Sequence, residues 1–63
     1  MNMPEDMVAT EMDEILKRSA LRVQQHRIRT AELTGQHALL AEGVLSEMLA
    51  SIRRITEYRA RFP

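Results

Sequence analysis

The stretch from Leu39 to Phe62, LLAEGVLSEMLASIRRITEYRARF, constrains this chain more than any other feature, because its apolar residues recur at helical spacing for its full length. Ala41, Met48, Ile55 and Phe62 stand seven apart, with Val44, Leu45 and Ile52 between them, which makes a stripe wide enough to be a packing face. A helix with such a face needs something to cover it. The chain has 63 residues and no cysteine. A single core of that size supplies only about 3–5 kcal/mol, and disulfides are excluded as staples. The expected cover is a second helix of the same chain and then a second copy of the chain.

The first half of the sequence offers that second helix. Val8, Met12, Ile15, Leu16, Ser19, Val23, His26, Thr30 and Leu33 fall three and four apart, as in a coiled-coil seam, although Ser19, His26 and Thr30 stand where aliphatic residues pack better. Two starts compete. Pro4 at the first helical position, followed by Glu5 and Asp6, suits the helix dipole, whereas Thr10 with Asp13 three residues on resembles a capping box, and the preceding residues then form a tail. The start is placed near Pro4. The only break signal is Leu33-Thr34-Gly35-Gln36, where Gly35 can take the left-handed conformation that ends a helix and Thr34 or Gly35 can begin the next. The expected elements are a helix over about 5–33, a turn at about Thr34–Gly35 and a helix over about 36–61, all within one unit. A single continuous helix pairing with an antiparallel copy is the alternative, since the stripes on the two sides of Gly35 are nearly in phase.

Charge order decides the direction of pairing. Acids fill the first quarter, Glu5, Asp6, Glu11, Asp13 and Glu14, and bases follow, Lys17, Arg18, Arg22, Arg27 and Arg29. The signs then repeat, with Glu32, Glu42 and Glu47 ahead of Arg53, Arg54, Arg59 and Arg61, among which Glu57 is the single acid. Folding back at Gly35 sets Glu11 and Glu14 beside Arg59 and Arg54, and Arg22 and Arg27 beside Glu47 and Glu42. Opposite signs meet, so the pairing is antiparallel; Gly35 favours the hairpin over the continuous helix.

A thinner apolar stripe, Leu21 and Ile28 with Leu39 and Leu49, lies away from the seam. It reads either as scattered exposed leucines or as a patch along one edge that a dimer covers.

Little in the chain carries chemistry. His26 and His37 lack the further ligands and the spacing that a metal needs, so His26 is read as a half-buried seam residue and His37 as a first-turn donor to a nearby backbone or hydroxyl group. No Gly-rich phosphate loop, nucleophile elbow or paired-carboxylate cleft is present, and no catalytic, cofactor-binding or metal-binding residue is assigned. The chain is therefore not expected to be an enzyme or to take a small-molecule substrate. Arg18, Arg22, Arg29, Arg53, Arg54 and Arg61 are candidate phosphate contacts. Against them stand a formal net charge of zero and the near absence of base-stacking aromatics, Tyr58 and Phe62 alone. Apolar runs fall short of a membrane span and the acidic N-terminal stretch lacks the basic region of a signal peptide, so a cytoplasmic location without membrane contact is expected.

From Leu21 to Phe62 the chain resembles a loose group of short, functionally uncharacterised proteins of soil alphaproteobacteria. The resemblance rests on His26, Arg27 and Ile28, on Glu32, Leu33, Gly35, Gln36 and His37, and on Ala41, Val44 and Leu45 ahead of a basic C-terminal stretch. It implies helix, turn and helix, and no catalytic activity.

The expectation is thus an all-α, antiparallel two-helix hairpin of coiled-coil type that dimerises into a four-helix bundle. Its packing and oligomer interface is assigned to Met12, Ile15, Leu16, Val23, Leu33, Ala41, Val44, Leu45, Met48, Ile52 and Ile55. Functionally it reads as a non-enzymatic interaction module, a homodimer that regulates or adapts a protein partner docked on its helical faces. The alternative is a Rop-like RNA- or DNA-binding dimer that uses the arginines, an analogy of architecture only.

Overall fold

A computed structural model describes residues 4–62, apart from the side chain of Glu5. The described chain is two helices, α1 over Pro4–Thr30 and α2 over Gly35–Arg59, joined by a four-residue turn. Helix α1 already runs through Pro4, the first described residue, so the capping-box start at Thr10 does not hold. Thr10 lies inside α1, and its hydroxyl donates to the Asp6 carbonyl at 2.9 Å rather than capping a helix. The tail belonging to that alternative falls on residues 1–10, of which 1–3 lie outside the described residues.

Helix α1 ends at Thr30, three residues before the expected Leu33. The Thr30 hydroxyl turns back to the His26 carbonyl at 2.8 Å. The last turn then tightens, with Ala31 N–H donating to Ile28 O at 3.5 Å and Leu33 N–H to Thr30 O at 3.1 Å. Thr34 follows in extended conformation, φ −132° and ψ 166°, without a side-chain cap. Gly35 does adopt the left-handed region, φ 59°, but it opens α2 instead of closing α1. Most L residues hold that angle only with strain of about 1–2 kcal/mol.

Two long-range contacts fix direction and register. Near the turn His26 Nε2 donates to the Ala41 carbonyl at 2.8 Å, and near the far end Arg59 Nε donates to Asp13 Oδ1 at 2.9 Å. Early α1 therefore meets late α2, and the hairpin is antiparallel along a body of 53 × 16 × 11 Å. Each helix of some 25 residues runs about 40 Å at 1.5 Å per residue, which makes up most of that length.

The seam follows a strict alternation of three and four. On α1 it is Ala9, Met12, Leu16, Ser19, Val23, His26 and Thr30; on α2 it is Ala38, Ala41, Leu45, Met48, Ile52, Ile55 and Arg59, then Phe62 just beyond the helix. Every one of these is buried or half-buried. Spacing of this kind keeps one narrow line of side chains against the partner helix, and neighbours one step round the helix turn away from it. Leu33 and Val44, expected in the hairpin seam, are the consequence: Leu33 lies past the end of α1, Val44 one position off the line, and they are 42% and 51% exposed. Val8 and Ile15 are displaced to the flank for the same reason. Ala9 and Ala38, both unassigned above, take seam places and let the helix backbones approach.

Candidate interaction surface

Three local arrangements define the surface. At the turn end, small residues Ala38 and Ala41 face His26, whose ring crosses to the Ala41 carbonyl. That carbonyl belongs to the interior of α2, so the imidazole supplies a second donor to it, worth about 1 kcal/mol. His26 is the half-buried seam residue anticipated. His37 is instead exposed, and among the described residues its ring makes no hydrogen bond. Among the described residues, no group of three or more potential metal ligands converges.

At the open end Arg59 occupies a seam position with its side chain only 28% exposed. Its guanidinium grips both oxygens of Asp13, Nε to Oδ1 at 2.9 Å and Nη2 to Oδ2 at 3.4 Å, while Nη1 reaches the Phe62 carbonyl at 3.2 Å. One arginine thus ties α1 to α2 and satisfies a carbonyl beyond the α2 C-terminus. Asp13 is about half exposed, which holds the pair to roughly 1 kcal/mol. The charge rows were legible in sign but not in partner. Glu11 and Glu14 do not meet Arg59 and Arg54; Glu14 instead pairs along its own helix with Lys17 at 4.0 Å. Asp13 wins because it follows Met12 on the edge of the seam, where a short carboxylate meets a long guanidinium, whereas Glu11 points to the other flank. Arg22 and Arg27 form no ion pair with Glu47 or Glu42 among the described residues.

The third arrangement is a flank that carries exposed apolar residues from both helices. Met12 and Ile15 of α1, Arg54, Ile55, Glu57 and Tyr58 of α2, and Arg61 just beyond α2 line one groove near the open end. The same side continues through Val44 and Leu40 toward the turn, since these stand seven or eleven residues from Ser51 on a helix whose Tyr58 also lies seven away. Tyr58 is held edge-on to Phe62, ring centroids 5.8 Å apart at 80°, with the Arg61 guanidinium 5.4 Å over its face. By helical position Arg18, Arg22 and Arg29 join Arg54 and Arg61 on this side, with Glu11 and Glu47 among them; Arg53 alone of the candidate phosphate contacts points to the opposite flank. All six are exposed.

Of the assigned interface residues, Met12, Leu16, Val23, Ala41, Leu45, Met48, Ile52 and Ile55 lie in the seam, and Ile15, Leu33 and Val44 outside it. The thinner stripe does not join into one edge. Leu21 and Ile28 stand on the back of α1 and Leu39 on the back of α2, the most exposed being Ile28 at 71%. The Asp13–Arg59 clamp was missed, although Arg59 follows Ile52 by seven and so announces itself as a seam residue in need of an acid.

No described helix is long and apolar enough to cross a membrane. No protein-family model matches the chain, and neither does any curated protein or solved structure.

Proposed function

We propose that this chain is a non-enzymatic helical interaction module that works as a homodimer, two hairpins closing into a four-helix arrangement whose outer faces dock a protein partner in the cytoplasm. The observation that supports it is unburied surface. The hairpin exposes 5467 Å², against about 4,200 Å² for a compact monomer of 7.3 kDa. Among the described residues only Ala9, Met12 and Val23 are buried, and α2, the more apolar helix, buries none of its side chains. The excess of about 1,300 Å² exceeds the ~800 Å² that each partner of a standard interface contributes. A chain this small gains a true core by association, and twofold symmetry is the usual closure.

A second reading, an RNA- or DNA-binding dimer, is favoured by the gathering of Arg18, Arg22, Arg29, Arg54 and Arg61 on one side. Titration of RNA and DNA at physiological salt separates the two. The module reading expects no saturable binding at micromolar protein. Micromolar affinity that weakens steeply with salt and is lost in the Arg18→Glu, Arg54→Glu variant supports the second reading in its place.

A further inference from the structure

The flank of α2 has a symmetry of its own. Around Ser51, Val44 and Tyr58 stand seven residues away on either side, Glu47 four before and Arg54 three after. Laid antiparallel against an identical helix about that point, Val44 meets Tyr58 of the second copy, and Glu47 meets its Arg54. The small Ser51 lies at the crossing, where two helices approach most closely. Both apolar residues are about half exposed in the hairpin, 51% and 52%, and neither Glu47 nor Arg54 has an ion-pair partner among the described residues. Resting on the dimer reading above, we infer that the second copy seats on α2, antiparallel to it, about a twofold axis at Ser51.

Helix α1 argues for the same choice by what it refuses. The register set by Asp13–Arg59 and His26–Ala41 brings Arg18 and Arg22 level with Ser51 on the same flank. Antiparallel stacking of α1 on α1 would bring the Arg18 and Arg22 of both copies together, so the contact closes on α2 and leaves those guanidiniums in water at its edge. The opposite flank is a poorer seat: on α2 it presents Glu42, Ser46, Arg53 and Thr56, with Leu49 as its main apolar residue. Exposed apolar area is concentrated where the charges are self-complementary.

The cysteine-free sequence makes the test direct. Ser51→Cys is expected to oxidise to a covalent dimer that retains its helix content, because the two thiols lie across the axis, whereas Ser46→Cys on the far flank is expected to stay unlinked at the same concentration. Glu47→Arg and Arg54→Glu each place like charges across the interface twice and are expected to raise the dimer dissociation constant about tenfold, with the double variant Glu47→Arg, Arg54→Glu restored to within about threefold of the parent. A dimer that links through Ser46→Cys and not Ser51→Cys, or a double variant no tighter than the singles, overturns the seat while leaving the dimer standing. A parent chain that sediments as a folded monomer overturns both.

Discussion

The two helices are built from the same spacing and end up differently covered. Among the described residues helix α1 holds all of the buried side chains, Ala9, Met12 and Val23, although its seam is interrupted by Ser19, His26 and Thr30. Helix α2 has an almost unbroken apolar seam from Ala38 to Ile55 and buries none. The two seams meet along one line, on which His26 bonds the Ala41 carbonyl and Thr30 its own helix. Beyond that line both helices keep exposed apolar residues, Met7, Val8 and Ile15 on α1 and Leu40, Val44 and Tyr58 on α2. One neighbouring helix covers the seam of the other and leaves the flanks of both open.

Substitutions that act differently on the two helices break or sharpen this comparison. The largest effect belongs to Ile52→Asp, which sets an unpaired carboxylate in the α2 seam where it faces α1; loss of several kcal/mol, seen as loss of cooperative melting by circular dichroism, is expected. Met12→Ala follows, expected to cost about 2 kcal/mol, because Met12 is buried within one hairpin. Val44→Ala removes a similar aliphatic bulk from the exposed flank of α2. Its cost should appear mainly as a steeper dependence of Tm on protein concentration, since the hairpin alone covers only half of Val44. Equal effects of Met12→Ala and Val44→Ala on a dilute sample would erase the distinction between seam and flank.

The glycines give the smallest pair. A Cβ at either position meets open space, but Gly35 sits at φ 59° and Gly43 does not. Gly35→Ala is expected to cost about 1–2 kcal/mol through backbone strain. Gly43→Ala is expected to stabilise by up to about 1 kcal/mol, because it replaces a helix-interior glycine without a clash. Urea melts of the two variants check the opposite signs.

These elements also show what the sequence makes legible. The seven-residue spacing of Leu16 and Val23, and of Ala41, Met48 and Ile55, carries the two helices and their seam, and Gly35 carries the reversal. The end of α1 does not announce itself, since Ala31 and Glu32 form the turn without glycine or proline. Thr30 makes the same hydroxyl bond to the carbonyl four residues back that Thr10 makes inside α1, so it does not mark the end either. Leu33 and Val44 look like seam residues because a stripe read along the chain has no edges until the partner helix fixes which line it meets. The surface is legible in composition rather than in place. The arginines are visible in the sequence, but their collection on one flank, with Arg53 excluded, depends on the register.

Sedimentation equilibrium at low micromolar concentration tests the central claim, that the wide α2 stripe is completed by a second hairpin. A single species of about twice the 7.3 kDa chain mass, dissociating on dilution together with loss of helix, is the predicted result. A species of 7.3 kDa that melts cooperatively, with a midpoint independent of concentration, would contradict it.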